Sequence, residues 1–488
     1  MPPATLLNGL FFGLLAFLGV YGLHRLQLVR RFRDWGPAPE PLAPEAEHPR
    51  VCVQLPLYNE RTVAARLIRR VGALEWPADR LEIQVLDDST DETRALVDQE
   101  VELLRSRGLN ARVLRREGRE GFKAGALAHG MAHSDAPYIA VFDADFLPQA
   151  DFLQRTLPAF DSSEVGLVQA RWGHLDRDRS GFARAQSTLL DGHFVIEHHV
   201  RCLSGLFFNF NGTAGVWRRE AIEDAGGWEH DTLTEDLDLS YRSQMAGWRF
   251  VYLPSVVADA ELPPDVAAFK SQQARWARGS AQVLRKLGGR IARADLPWRV
   301  KLEAFLHLTH NIGYPLVPAL AFLLPLVMLQ PMEVSPWAHL ALFCLCSVSI
   351  VVFYDKSQRA TGRPLLRRLF DVPAAMALGI GLSLRLSRAV LLGLFAGPGE
   401  FVRTPKRGDG AGQRYRSLLN GVPGLELLPA AWLGWACWMA IADGAWSALP
   451  LMLLFAWGYA WIGWLSLRVW WRERGTQPSP AEGRAATV

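Results

Sequence analysis

The stretch YIAVFDADFLPQADF, residues 138–152, decides the fold of this chain. It opens with an apolar run of strand length, Tyr138–Phe142, and Asp143 and Asp145 follow directly. Comparable apolar runs lie at Val51–Leu57, Leu81–Leu86, Ala111–Leu114 and Gly166–Ala170. Stretches with helical periodicity, for example Arg61–Ala73 and Asp91–Arg107, separate several of these runs. This alternation of strands and helices predicts an α/β domain with a mostly parallel sheet.

Acidic residues follow two of the predicted strands, where ligands bind in sheets of this kind. Asp143-Ala-Asp145 has the spacing to hold one divalent ion and, through it, a diphosphate, because Mg²⁺ typically uses one or two carboxylates plus phosphate oxygens. Asp87 and Asp88 could accept hydrogen bonds from a base or a ribose hydroxyl. The alternatives are a solvated loop for the first pair and a helix N-cap for the second.

The composition excludes several classes of protein. Of the 488 residues, 50% are hydrophobic and 21% are charged, so the chain is not intrinsically disordered. A formal net charge of +4 gives no general polyanion-binding character, and no nucleic acid is expected as a partner. The five cysteines are odd in number and form no CxxC pair, which argues against a disulfide scaffold and a four-cysteine zinc site.

Hydrophobic segments flank the predicted α/β domain on both sides. Residues 5–23 are uncharged and about as long as the ~20 residues that cross a bilayer, and the basic run 24–33 follows them. This order predicts an uncleaved anchor with its N-terminus outside and the following domain in the cytoplasm. Further apolar spans lie at 309–329, 337–354, 426–443 and 447–467.

The segment 371–397 is apolar but contains Arg385 and Arg388. It joins two basic loops, 355–368 and 403–416, which the positive-inside rule places in the cytoplasm. We therefore expect this segment to be interfacial or re-entrant, which leaves five crossings. The predicted domains are an anchor at 1–34, a cytoplasmic domain at 35–300, membrane and interfacial helices at 301–474, and a disordered tail at 475–488.

Three further motifs could carry chemistry, and each has a simpler interpretation. Lys123 could neutralise a phosphate, although a lone lysine is more often a surface residue. Thr234-Glu235-Asp236 precedes a predicted helix, where acidic residues are ordinary in the first turn. Gln272-Gln-Ala-Arg275-Trp276 could stabilise a leaving diphosphate and stack on a sugar, but an interfacial Arg-Trp pair also serves as a membrane anchor.

The order and spacing of these motifs resemble glycosyltransferase family 2, specifically its membrane-embedded processive β-glycan synthases. The closest likeness is to the plant cellulose-synthase-like A and C families, which make mannan or glucan, and to their bacterial relatives. The resemblance runs nearly unbroken from Val51 to Lys286. It is carried by QLPLYNE (54–60), QVLDDSTDET (84–93), FKAGAL (122–127), FDADFLPQADF (142–152), VQARW (168–172), FNGTAGVWR (210–218), AGGWEHDTLTEDLDLSYR (225–242) and FKSQQARWARG (269–279).

The resemblance implies a glycosyltransferase A-type, Rossmann-like cytoplasmic domain inserted between transmembrane helices, and it assigns roles to residues. The nucleotide side of the donor would be held by Tyr58, Asp87, Asp88, Lys123 and Asp143. Mg²⁺ or Mn²⁺ would be held by Asp143 and Asp145. The catalytic group would be Asp236 as general base with Glu235 and Arg275, and the acceptor would contact Trp276, Asn211 and Gly212.

Residues 399–416 include Phe401-Val-Arg-Thr404-Pro-Lys406, which resembles the FxVTxK gating loop of the cellulose synthases. Arg403 stands where that motif has Val. The resemblance implies that Gln272, Thr404 and Lys406 act at the diphosphate and the gate. A positive-inside stop signal is the alternative for this loop.

The implied function is inverting, processive transfer of hexosyl units from UDP-glucose or GDP-mannose to a growing β-linked, β-1,4 polysaccharide, with translocation across the plasma (inner) membrane. The expected partners are a nucleotide sugar, the polysaccharide and the lipid bilayer; the sequence identifies no accessory export subunit. One alternative is transfer of a single sugar to a membrane lipid. Another is a catalytically dead partner, against which the intact Asp143, Asp145, Asp236 and Arg275 argue.

Overall fold

The computed structural model describes residues 3–36, 40, 47–328, 336–397, 399, 408, 422–444, 446 and 449–474. Within these residues, one mixed sheet of eight strands forms the centre of the domain between the hydrophobic segments. The strands are β1 Val51–Leu57, β2 Leu81–Asp87, β3 Asn110–Leu114, β4 Tyr138–Val141, β5 Phe146–Leu147, β6 Val165–His174, β7 Gly215–Arg218 and β8 Arg249–Ala260.

The strand order is β3-β2-β1-β4-β7-β6-β8-β5. The half made of β3, β2, β1 and β4 is parallel, as the sequence predicts. In the other half, β7 is antiparallel to both β4 and β6, β8 is parallel to β6, and β5 is antiparallel to β8. The sheet therefore brings the carboxyl ends of β2, β1 and β4 to one edge.

Helices cover both faces of the sheet. They are α2 Ala64–Val71, α3 Thr93–Ser106, α4 Phe122–Ala132, α5 Phe152–Thr156, α6 Gly181–Asp191, α7 His198–Leu203, α8 Arg219–Asp224, α9 Glu235–Met245 and α10 Val266–Arg293. A π-helical turn, Gly192–Glu197, joins α6 to α7. In β4, Ala140 packs into one buried apolar cluster and Ile139 into the other, so the strand is buried on both faces.

Four of the five predicted strands are confirmed within one residue at each end, and the fifth, Gly166–Ala170, is part of the longer strand Val165–His174. Both predicted helices are present, as α2 and α3. The strands β5, β7 and β8 were not predicted. Only one of the short apolar runs, Gly166–Ala170, belongs to the mixed half of the sheet, where it forms part of β6.

The hydrophobic segments form long helices. These are α1 Pro3–Arg31, α11 Trp298–Thr309, α12 Gly313–Met328, α13 Pro336–Ala360, α14 Leu365–Phe395, α15 Leu427–Ala442 and α16 Leu449–Arg474. Among the described residues, four helical stretches are long and apolar enough to cross a membrane: Thr5–Arg31, Trp298–Val327, Leu365–Phe395 and Leu449–Arg474. With 16 residues, α15 is shorter than a full span.

The segment 371–397 differs from its prediction in one respect. Most of it lies in a single helix, which runs from Leu365 to Phe395 without reversing direction, so the re-entrant alternative is wrong. Its length and composition would allow a crossing. The helix also packs on α6 and α10 of the α/β domain, and Arg184 of α6 donates to Asp371 at 3.0 Å. The interfacial placement agrees with these contacts and stays a prediction.

Candidate active site

The loops after β1 and β2 are tied together at the edge of the sheet. Asn59 has a left-handed backbone (φ 54°), and its side chain accepts a hydrogen bond from the Thr90 backbone N–H at 2.8 Å. Its own N–H donates to Ser89 Oγ at 2.9 Å. Tyr58, beside it, lies under the Arg119 guanidinium, whose Cζ is 3.3 Å from the ring centroid. The Tyr58 ring and the Arg119 guanidinium stacked on it therefore form a flat, positively charged part of the cleft wall.

Asp87 and Asp88 have different environments although they are adjacent in sequence. Asp87 ends β2 and is 2% exposed; its carboxylate accepts hydrogen bonds from Arg115 Nε and from the Ser89 N–H. Asp88 lines the cleft and forms a forked ion pair with Arg116. Asp88 is thus the member of the pair that a bound nucleoside could reach directly.

Lys123 lies in the first turn of α4 and connects two sides of the cleft. Its Nζ donates to Asp143 Oδ1 at 2.5 Å and to the Gly212 carbonyl at 2.7 Å. Burial alone would lower the pKa of Lys123, but the carboxylates of Asp143, Glu235 and Asp236 raise it. The ammonium is therefore charged before any ligand arrives.

Asp143 and Asp145 follow β4 and both line the cleft. The Asp143 side chain is 35% exposed, whereas Asp145 is 3% exposed. Two carboxylates supply the hard oxygen donors that Mg²⁺ or Mn²⁺ prefers, so the residues fit the predicted ion. The Asp143 backbone N–H donates to Thr213 Oγ1 at 2.9 Å, which ties this loop to the one after α7.

A second acidic group lies behind the cleft. Carboxylate oxygens of Glu229, Asp231 and Asp238 lie within 4.8 Å of one another. Lys286 Nζ reaches all three, at 2.5, 2.6 and 3.0 Å. Arg242 also pairs with Glu229 and Asp238, so two cations face the three carboxylates and the group is an ion-pair cluster.

The FNGTAG loop, 210–215, approaches the predicted base very closely. Gly212 has φ +79°, and a Cβ there would lie 3.0 Å from Asp236 Oδ2 and 3.2 Å from Lys123 Nζ. A side chain would both strain the backbone and crowd two charged groups. Glycine at this position therefore lets the loop close one wall of the cleft.

Asp236 lies in the first turn of α9, and its Oδ1 accepts the Leu237 N–H at 2.8 Å. Thr234 occupies the N-cap position, but its side chain makes no capping hydrogen bond. Burial, together with the neighbouring Glu235 carboxylate, raises the pKa of Asp236 to about 7 against the opposing effect of Lys123. A carboxylate with such a pKa is suited to accept a proton near neutral pH.

Helix α10 presents Gln272, Arg275 and Trp276 to the cleft. Their spacing, i, i+3 and i+4, places them on one face of the helix. The helix lies hard against the loop before α9: a Cβ at Gly279 would be 2.4 Å from Thr234 Cγ2. Because Gly279 has no side chain, α10 can pack close to Thr234, and this brings Arg275 and Trp276 nearer to Asp236.

Aromatic rings continue the cleft beyond Trp276. The centroids of Trp276 and Trp172 are 6.2 Å apart, and Trp172 stacks on Phe194 at 4.7 Å with an interplanar angle of 29°. Trp172 and Trp276 line the cleft, as Asn211 does, and offer flat faces of the kind on which sugar rings stack. Phe194 is buried and packs behind Trp172.

Comparison with known proteins agrees with this geometry. The family model described as glycosyl transferase family group 2 matches residues 138–354. Glucomannan 4-beta-mannosyltransferase 1 of Oryza sativa subsp. japonica is 43% identical over 288 residues, 58% of this chain and 55% of that protein. The probable glucomannan 4-beta-mannosyltransferase 9 of the same species is 38% identical over 389 residues, 76% of this chain and 71% of that protein. The chain belongs to glycosyltransferase family 2.

Within family 2, these relatives agree with the predicted resemblance to the cellulose-synthase-like group, and both are named as glucomannan 4-beta-mannosyltransferases. The chain spans about half the length of several curated relatives; for glucomannan 4-beta-mannosyltransferase 9 of Arabidopsis thaliana, 45% identical, the share is 47%. The mannosyltransferase PcManGT from Pyrobaculum calidifontis, solved with GDP-Man and Mn²⁺, is 21% identical with a TM-score of 0.52, over 80% of this chain and 98% of that one. This likeness confirms the glycosyltransferase A-type fold.

Most of the residues predicted for a family 2 site lie around one cleft. These are Tyr58, Asp88, Lys123, Asp143, Asp145, Asn211, Gly212, Glu235, Asp236, Gln272, Arg275 and Trp276. Asp87 lies beneath the cleft, while Thr404 and Lys406 lie outside the described residues. Sequence reasoning missed Arg119 and His174, which line the cleft, and Arg116, which pairs with Asp88. Trp172 was quoted within VQARW, and its place after an apolar strand was the signal that could have assigned it to the site.

Proposed function

We propose that this glycosyltransferase transfers mannosyl units from GDP-mannose, with inversion, to a growing β-1,4-linked polysaccharide. One observation carries the proposal: a single cleft holds donor-side groups (Asp88, Lys123, Asp143) and acceptor-side groups (Asp236, Trp276). The relatives named as glucomannan 4-beta-mannosyltransferases support mannose and the linkage. The GDP-Man and Mn²⁺ bound by PcManGT support the nucleotide and a divalent ion.

The chain's own residues suggest how the reaction would proceed. Asp236 accepts the proton of the acceptor hydroxyl as that oxygen attacks the anomeric carbon, and the bond to the diphosphate breaks. Lys123 and Arg275 stabilise the charge that builds on the leaving GDP. Mg²⁺ or Mn²⁺ held by Asp143 and Asp145 would supply further positive charge at the diphosphate.

The membrane helices support coupling of synthesis to export. Helix α10, which carries Trp276, packs on α14 and α16, so the acceptor end of the cleft adjoins the hydrophobic region. A polar polysaccharide cannot cross hydrocarbon unaided, and helices beside the site could line its path. The proposed location is the plasma (inner) membrane, with the N-terminus outside, the catalytic domain in the cytoplasm and loop 399–416 acting as the gate.

The test uses the purified protein in lipid nanodiscs with Mn²⁺ and radiolabelled GDP-mannose or UDP-glucose. The proposal expects long, water-insoluble chains from GDP-mannose that an endo-β-1,4-mannanase shortens. Label that extracts into organic solvent with a single sugar would favour the lipid acceptor instead. Polymer from UDP-glucose alone, degraded by a cellulase and not by the mannanase, would overturn the donor assignment.

A further inference from the structure

A row of hydrogen-bonded polar side chains runs from the N-terminal helix to the FNGTAG loop. In order, its members are His24, Glu303, Arg201, Glu197, His193 and Asn211. They come from α1, α11, α7, the π-helical turn and the loop after α7. π-Helical turns inside helices occur frequently at functional sites. None of the motifs recognised in the sequence includes this turn.

Arg201 is the fixed point of the row. It is 2% exposed and lies between two carboxylates, donating to Glu303 at 3.0 Å and to Glu197 at 3.3 Å. Although burial would raise the pKa of Glu197, Arg201 and His193 hold it well below its usual value. Glu197 is therefore ionised and can only accept hydrogen bonds.

An ionised Glu197 determines the tautomer of His193. The Glu197 Oε2 lies 3.0 Å from His193 Nδ1, so that nitrogen must carry the proton. In the neutral ring, Nε2 is then an acceptor. It lies 3.1 Å from Asn211 Nδ2, which must be the donor. The orientation of the Asn211 amide thus follows from the charge on Glu197.

This orientation leaves Oδ1 of Asn211 as an acceptor for a ligand. Its backbone N–H donates to Gln169 Oε1 at 3.2 Å, and its Nδ2 is engaged by His193. Its Oδ1 is buried and has no hydrogen-bond partner among the described residues. Asn211 lines the cleft next to Gly212, where a Cβ would lie 3.0 Å from Asp236 Oδ2. A buried acceptor of this kind is costly unless a ligand hydroxyl satisfies it.

We propose that His193 is a positioning residue for glycosyl transfer: it holds Asn211 so that Oδ1 accepts a hydrogen bond from a hydroxyl group of the acceptor sugar. The inference rests on the proposed function and adds a residue to it. The next residue of the π-helical turn, Phe194, stacks on Trp172, which lines the same cleft. The π-helical turn therefore serves both the polar and the aromatic contacts of the acceptor.

The experiment measures elongation of a β-1,4-mannohexaose acceptor by the full-length protein in nanodiscs. In His193→Ala, the acceptor KM should rise by about threefold to tenfold, the loss expected for one neutral hydrogen bond, while the donor KM stays unchanged. The share of donor lost to hydrolysis should rise with it. His193→Gln should recover most of the acceptor KM, because Gln can place an amide oxygen near the position of Nε2.

His199→Ala is the matched control. His199 is a buried histidine of α7 whose Nε2 contacts the Arg33 backbone oxygen outside the row, so the acceptor KM should not change. Asn211→Ala removes Oδ1 and leaves the charged row intact, and it serves if His193→Ala fails to fold. The double variant His193→Ala/Asn211→Ala should be no worse than the poorer single variant.

Additive effects in that double variant, or equal rises of donor and acceptor KM, would overturn the role of His193. So would an unchanged acceptor KM in Asn211→Ala. If the wild-type protein elongates the hexaose from GDP-mannose under the same conditions, the proposed function holds even when the variants contradict the role of His193. A wild-type protein that does not elongate it would overturn the proposed function and this assignment together.

Discussion

Lys123 Nζ lies 2.5 Å from Asp143 Oδ1, so the group assigned to the diphosphate is paired with a carboxylate assigned to the metal ion. The pair neutralises both charges in the absence of a donor. When a nucleotide sugar and its cation enter together, Lys123 can pair with the phosphate in place of the Asp143 carboxylate. Asp143 can then bind the cation in place of the Lys123 ammonium. This exchange predicts that donor and metal bind cooperatively.

Asp143→Asn and Asp145→Asn should each abolish polymer formation and the Mn²⁺ dependence of GDP binding, measured by isothermal titration. Each change removes a ligand charge and leaves the packing of β4 unchanged. Asp135→Asn is the control, since Asp135 is an exposed acid paired with Arg50 away from the cleft, and it should behave like the wild type. Full activity in both cleft variants would contradict the metal assignment.

Asp236→Asn should bind GDP-mannose nearly normally and lose about 10²–10⁴-fold in turnover, the range typical of general acid–base catalysis. The amide keeps the hydrogen bond from the Leu237 N–H but cannot take a proton from the acceptor hydroxyl. Turnover is measured as GDP release and donor binding by titration. If binding and turnover fell equally, Asp236 would act in the structure of the α9 start instead.

The pH dependence follows from the raised pKa of Asp236, about 7. Below this value the carboxyl is protonated and cannot accept the acceptor's proton, so kcat/KM for the donor should fall about tenfold per pH unit as the pH drops from 7 towards 5. Above 7 it should level off. A profile that is flat from pH 5.5 to 8 would contradict the assignment of Asp236 as the base.

The strands of the parallel half could be predicted because each is a run of strand length rich in apolar residues, as in Val51–Leu57 and Tyr138–Val141. Their parallel arrangement could be expected from the alternation of strands and helices. In contrast, β7 has only four residues. So short a run gives no clear strand pattern, and its antiparallel pairing with β4 depends on the packing of the whole domain.

In the candidate site too, some features could be predicted from local sequence and others depend on tertiary contacts. Asp143 and Asp145 follow an apolar strand, and their place at the cleft could be predicted from that position. Asp87 and Asp88 were predicted only as a pair, without separate environments. Because neighbouring residues at the end of a strand face opposite sides, one of them is buried and the other faces the cleft. The Arg115 and Arg116 partners were beyond prediction, because they come from another loop and depend on tertiary packing.

Gly279→Ala should destabilise the protein and lower activity, because the new Cβ would lie 2.4 Å from Thr234 Cγ2 and push α10 away from the start of α9, where Asp236 lies. Gly289→Ala in the same helix is the matched control. Its Cβ would meet only Arg293 at 3.5 Å, and alanine should stabilise the helix there by up to about 1 kcal/mol. Thermal unfolding and turnover of the two variants are compared. Equal stability of both would contradict the close helix–loop contact.

Trp276→Ala separates polymer synthesis from simple transfer. Trp276 borders the cleft beside Trp172, and we expect it to stack on the terminal acceptor sugar. Without that face the chain end should dissociate more often, while Arg275 still faces the diphosphate. The variant should therefore release free mannose from GDP-mannose and make little long polymer, as measured by size-exclusion chromatography of labelled product.

Trp298→Ala is the control, since Trp298 is 71% exposed at the start of α11 and has the position of a membrane anchor. It should alter extraction and leave chain length unchanged. A normal chain-length distribution from Trp276→Ala would remove the support for processivity and favour transfer to a lipid acceptor.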